Sequence, residues 1–278
     1  MPRQSPAWSW GNSSNETAII ADSSLLDAIS WKDAFEGSTG RGVKVCVIDS
    51  GIDNDHPAIA GAVRGWAEPI LDGAGNVTFN LEPHEDLYGH GTACSSIIRD
   101  IAPGVHLYSV RVLGQRLSGK AAIFSAGLRW AIDNGMQVVN LSMGATVQEY
   151  FSVFHELTDE AYFKGMILVT AANNMPIVSY PSLYATAVSV ACYEGVTSNE
   201  TLEFYYNPSP PVEFGARGVD IRVAWREGGY INATGNSFAA PNITGIVSLL
   251  LEKHPNLTAY QVKTVLRNLA KNVRAPSM

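Results

Sequence analysis

The stretch "VKVCVID", residues 43–49, is apolar at every position except its second and its last, and most of its apolar residues are β-branched. A short continuous run of this kind suits a strand buried on both faces better than one with a wet side. Comparable runs occur at 107–112, 138–141, 167–170 and 187–191, and stretches of helical period lie among them at 93–100, 121–134 and 151–164. Such an alternation predicts an α/β fold in three layers, with a mainly parallel central sheet and helices on both faces. No repeat or linker interrupts it, so residues 31–278 are expected to form a single domain. Residues 1–30 are polar and read as an arm or lead-in, ending in "SSLLDAISWKDAF" (23–35), which suits a short amphipathic helix.

Composition narrows the function. With 278 residues, 46% of them apolar, the chain can fill a core. A net charge of -7 without a run of Lys or Arg gives no ground to expect nucleic acid or an anionic membrane as partner. No apolar stretch approaches the roughly 20 residues that span a bilayer. The first residues also lack the apolar core of a secretory signal, from which a cytoplasmic protein is expected, or a secreted one if a presequence has been removed. The cysteines, Cys46, Cys94 and Cys192, are odd in number and lack CxxC spacing, so neither a disulfide framework nor a zinc site is expected. No cofactor is called for, and the chain is expected to be monomeric.

In open α/β sheets ligands bind at the carboxyl ends of the strands. Asp49 closes the opening strand and so lies on that rim. His90, in "DLYGHGTACSSII", is expected to open a helix, and the flanking Gly89 and Gly91 leave room for a substrate backbone. Ser237, in "ATGNSFAAPNITG" (233–245), precedes an apolar helix that ends near Pro255. Alone, Ser237 suits a helix N-cap, with Pro241 tolerated in an early turn, and His90 suits a loop or capping residue. Together Asp49, His90 and Ser237 offer an orienting carboxylate, a general base and a nucleophile.

At these residues the sequence resembles the subtilisin-like serine peptidases, from about residue 29 to about residue 269. "VIDSGIDNDHP", "GHGTACSS" and "GNSFAAP" are similar to that family's aspartate, histidine and serine motifs, in the order found in subtilisin. The resemblance implies a serine endopeptidase acting on peptides or proteins, with Asp49, His90 and Ser237 as catalytic triad. It also implies Asn174, in "LVTAANN", as oxyanion donor, with Asn173 where the family usually has glycine. By the same resemblance, Ser142, Met143 and Gly144 wall the first specificity pocket above Ser179. Leu117, Ser118 and Gly119 form an edge strand that pairs with substrate, and Phe124 and Met143 line a further apolar pocket.

The sequence departs from the family pattern at Asn236, where threonine is usual, and at Phe238, where methionine is usual. Ala58 follows His56-Pro57 and the segment after His90 runs on without an inserted loop, so the family's strong calcium site is not expected. Cys94 resembles the cysteine of the branch that includes proteinase K and thermitase, and implies a thiol packed beneath the histidine.

Three other readings compete. Gly114, Gly119 and Lys120 match G-x-x-x-x-G-K, but Ala121 follows where a phosphate-binding loop needs Ser or Thr. A peptide-binding module on the same fold without turnover is the alternative to a peptidase. Glu82, Glu85 and Asp86 precede His90 and stand near enough to favour a basic residue close to the cut, or else form a solvated face.

Overall fold

The structure, a computed structural model, describes residues 29–196, 202–209 and 211–273. The lead-in therefore lies almost wholly outside the described residues. Of the helix expected at 23–35, the described part is α1 (Trp31–Phe35), capped by Ser30, whose hydroxyl accepts the Asp33 N–H.

The strands are β1 (Lys44–Asp49), β2 (Val63–Leu71), β3 (Val77–Asn80), β4 (His106–Arg111), β5 (Val138–Leu141), β6 (Ile167–Ala171), β7 (Val188–Cys192), β8 (Tyr205–Tyr206) and β9 (Phe214–Ala216). They form one nine-stranded sheet in the order β3-β2-β4-β1-β5-β6-β7-β9-β8. It is parallel except at its two outer pairs, β2 with β3 and β8 with β9. β10 (Ile221–Trp225) and β11 (Gly229–Ala233) form a separate antiparallel hairpin.

β1 explains the layering. Parallel neighbours flank it on both sides, Val45 pairing with Leu107 of β4 and with Val138 of β5. Successive side chains of a strand point to opposite faces. Val45 and Val47 therefore join the core beneath α2 (His90–Ile101), α5 (Asn236–Lys253) and α6 (Ala259–Leu269). Cys46 and Ile48 join the core beneath α3 (Ala121–Asp133) and α4 (Phe151–Phe163). Two buried faces require continuous apolar residues, which is why the opening stretch does not alternate.

The strands expected at 43–49, 107–112, 138–141, 167–170 and 187–191 and the helices expected at 93–100, 121–134 and 151–164 are present, displaced by a few residues at most, whereas the edge strand expected at 117–119 is not. β2, β3 and the β10–β11 hairpin were not expected from the sequence. β2 is broken by Gly65 and Pro69 and shifts register between Val63 and Gly65, so its apolar pattern is interrupted. Among the described residues no helix is long and apolar enough to cross a membrane.

Candidate active site

β1, α2 and α5 converge at the carboxyl end of the sheet. Asp49, the last residue of β1, is only 1% exposed, and its Oδ1 accepts the Ser50 N–H at 2.8 Å. His90 Nδ1 lies 2.9 Å from both Asp49 oxygens. A carboxylate can only accept, so Nδ1 carries a proton, and in the neutral imidazole Nε2 keeps its lone pair. Burial pulls the His90 pKa down, but the charge and hydrogen bond of Asp49 outweigh it and hold the imidazole well above its ordinary value. His84 shows the opposite balance: burial, followed by repulsion from Arg111, lowers its pKa to about 4.

The glycines beside His90 serve a different purpose from the one expected. A Cβ on Gly91 would lie 2.0 Å from the Gly51 carbonyl oxygen, and one on Gly89 would lie 2.4 Å from the Trp225 ring. They allow the protein itself to close around His90, with Trp225 of β10 packed over Gly89, rather than clearing room for substrate.

Asp86 is neither solvated nor turned to the cleft. It is 5% exposed and accepts hydrogen bonds from Ser50 Oγ, from the N–H groups of Tyr88, Gly89 and Thr92, and from Thr92 Oγ1, at 2.7–3.0 Å. A carboxylate there satisfies donors that the start of α2 leaves free. It also ties the residue after Asp49 to the helix that begins with His90. Glu82 and Glu85 are exposed and neither lines the cleft. The sequence signal for Asp86 was an Asp followed by a tight turn to Gly89, a common Asx arrangement.

Ser237 is not a cap. The N-cap of α5 is Gly235, and Ser237 is the second helical residue. Pro241, inside the helix, has no N–H to offer the carbonyl four residues back, which is that of Ser237. Other donors take its place: Ser142 Oγ at 2.8 Å and Cys94 Sγ at 3.4 Å. Ser142 in turn accepts from Asn140 Nδ2 at 2.9 Å, and Asn140 Oδ1 accepts from Thr244 Oγ1 at 2.9 Å. A buried polar chain thus fixes the main chain of Ser237 from below. Ser142 was expected only as a pocket wall; its hydroxyl is turned to this carbonyl.

Cys94 is fully buried, 3.8 Å from His90 Nδ1, and burial raises its pKa so that it stays a thiol. Asp49, His90 and Cys94 are the one group among the described residues whose potential metal-ligand atoms converge, within 4.8 Å of one another. The Phe238 ring packs against His90, with centroids 5.2 Å apart.

His90 and Ser237 open on a cleft of about 490 Å³ that also reaches Asn173 and Asn174, beyond the end of β6. Their side chains make no hydrogen bond with each other in this structure; catalytic contacts often tighten only around substrate. Asn174 Oδ1 accepts the Asn236 N–H at 2.8 Å, which leaves its Nδ2 as the free end, whereas Asn173 Oδ1 turns back to the Met175 N–H. One wall carries Met143 and Gly144, with the buried Ser179 hydroxyl below, 3.2 Å from that of Ser182.

Leu117, Ser118 and Gly119 line the opposite side but do not form the expected strand. Leu117 has φ of 52°, and the Gly114 N–H donates to the Ser118 carbonyl, so the segment curls into a loop. Phe124 and Met143 face the same cleft. Besides His90, the only charged residue that lines it among the described residues is Lys120.

The chain is similar to known proteins in sequence and in fold. The chain is 32% identical over 250 residues to Subtilisin E of Bacillus subtilis (strain 168), covering 84% of this chain and 62% of that protein. It is equally similar, 32% over 250 residues, to Subtilisin of Bacillus pumilus, covering 84% of this chain and 86% of that protein. Of solved structures, Sphericase superposes with a TM-score of 0.72 at 25% identity, over 85% of each chain. A cold adapted subtilisin-like serine proteinase shares the fold with a TM-score of 0.66 at 23% identity, over 89% of this chain and 93% of that one. The sequence pattern of the Subtilase family (Peptidase S8) matches residues 40–277, spanning the strand of Asp49, the helix of His90 and the helix of Ser237. The chain belongs to the Subtilase family.

Proposed function

We propose that the protein is a serine endopeptidase that hydrolyses peptide bonds through an acyl-enzyme, with residues 31–278 acting as one monomeric peptidase domain. The observation that carries this reading is the buried Asp49–His90 pair, at 2.9 Å, opening on the cleft that holds Ser237 and Asn174. His90 Nε2 takes the proton of Ser237 Oγ as the oxygen attacks the scissile carbonyl carbon. Asp49 stabilises the imidazolium, and Asn174 Nδ2 with the Ser237 N–H receives the oxyanion. His90 then passes its proton to the leaving amine, and water, activated by the same imidazole, releases the acyl group as a carboxylic acid.

An extended peptide fits between the walls at 117–119 and 142–144, with Asn173 at the rim of the first pocket. Without a carboxylate in its lining, the cleft selects uncharged side chains over basic ones. Neither the fold nor the relatives support the cytoplasmic location expected from the first residues.

The reading is tested on unfolded casein, with new peptide termini read by mass spectrometry. New termini with the wild-type protein and none with Ser237→Ala are expected. Saturable binding of peptides without new termini would instead make this a peptide-binding module.

A further inference from the structure

We propose that Asn236 is a positioning residue that clamps the start of α5 to the ends of β6 and β7 and thereby sets the spacing of the two oxyanion donors. The inference rests on the peptidase reading above. The donors come from separate elements: the Ser237 N–H from the first turn of α5, and Asn174 Nδ2 from the segment after β6. They stabilise charge only if both lie about 3 Å from one oxygen position.

Asn236 joins the two elements through its side chain and its main chain. Its Nδ2 donates to the carbonyls of Ala172 at 3.2 Å and Asn173 at 3.1 Å. Its Oδ1 accepts the Cys192 N–H of β7 at 2.8 Å. These partners settle which end of the amide is which, since carbonyls need a donor and an N–H needs an acceptor. Its own N–H donates to Asn174 Oδ1 at 2.8 Å and leaves Asn174 Nδ2 to face incoming charge. The residue beside the nucleophile therefore grips the two carbonyls that precede the oxyanion asparagine and orients that asparagine as well.

Threonine, usual at this position in the family, has one hydroxyl proton and cannot serve both carbonyls. In this chain the carboxamide makes all three side-chain bonds at once. Loss of the clamp should therefore act on the transition state more than on substrate binding.

The test measures kcat and KM of Asn236→Asp and Asn236→Thr, each in the wild-type and in the Asn174→Ala background, on a tetrapeptide anilide with an apolar residue before the scissile bond. Asn236→Asp keeps size and the acceptor for Cys192 but removes both donors. Its kcat is expected to fall about ten- to a hundredfold with KM changed less than about threefold, as for a misplaced catalytic group. In the Asn174→Ala background, where one donor is already gone, the same change should cost less than about threefold.

Asn236→Thr should show the same pattern with a smaller loss, and it carries the test if thermal melting shows Asn236→Asp unfolded. A kcat within about twofold of wild type, or the same loss in both backgrounds, overturns the clamp while the peptidase reading stands. A wild-type protein that cleaves neither the anilide nor casein overturns both.

Discussion

His90, Ser142 and Ser237 lie at the floor of the cleft with Asp49 buried behind His90, and each is held by hydrogen bonds of its side chain or main chain to buried partners. Around the mouth the construction is looser. Leu117 and Val147, which line it, are 36% and 48% exposed, and Leu117 curls on a loop. Chemistry at the floor requires particular atoms at fixed distances, so residue types there are narrowly prescribed. Recognition at the mouth needs only shape and polarity, which many residues supply. Substitutions should therefore cost most at the floor and least at the rim, and a break in that order would dissolve the distinction.

The largest loss is expected from Ser237→Ala, which removes the nucleophile: kcat should fall by about 10⁴-fold or more, read as initial rate on a peptide anilide. Asn174→Ala comes next. Removal of such a donor from subtilisin costs about 10²- to 10³-fold in kcat, and a loss of that order with little change in KM is expected here. Asp86→Ala sharpens the comparison from the side of stability. It strands the buried N–H groups of Gly89 and Thr92, so a loss of about 3 kcal/mol by chemical denaturation is expected. An unchanged denaturation midpoint would mean that Asp86 does not hold the His90 helix in place.

The pH profile probes the floor through His90. The imidazole must be neutral to accept a proton, and its raised pKa keeps it protonated to higher pH than an ordinary histidine. kcat/KM should therefore rise with pH along a limb whose midpoint lies above the ordinary value of about 6.5. Asp49→Asn should move that midpoint down. A flat profile between about pH 5 and 8 would contradict a histidine base. The smallest effect is expected at the rim. Lys120→Glu should shift the ratio of kcat/KM for acidic over basic peptides by only a few-fold, the scale of an exposed ion pair.

The sequence made the floor legible for the same physical reason. Continuous apolar runs exposed the parallel sheet, its carboxyl rim located Asp49, and the motifs around His90 and Ser237, which resemble those of the family, supplied the other two. What escaped depends on partners distant in sequence. Nothing near Asp86 announces that it serves Ser50, and nothing near Asn236 announces Cys192 and Ala172. Nothing near Pro241 announces that Ser142 and Cys94 answer the Ser237 carbonyl it leaves free. β2 and the β10–β11 hairpin were hidden by glycines, a proline and charged residues that interrupt any apolar pattern. The Glu-Gly-Gly at 227–229 was nevertheless a turn signal, with Glu227 and Gly228 both at positive φ.

The central claim is that Asp49 and His90 activate Ser237. A fluorophosphonate probe tests it most directly, applied to the purified protein beside Ser237→Ala and His90→Ala and read by peptide mass. The account predicts one modified residue, Ser237, and loss of labelling in both variants. A folded wild-type protein that stays unlabelled, or a Ser237 that labels equally well without His90, would contradict it.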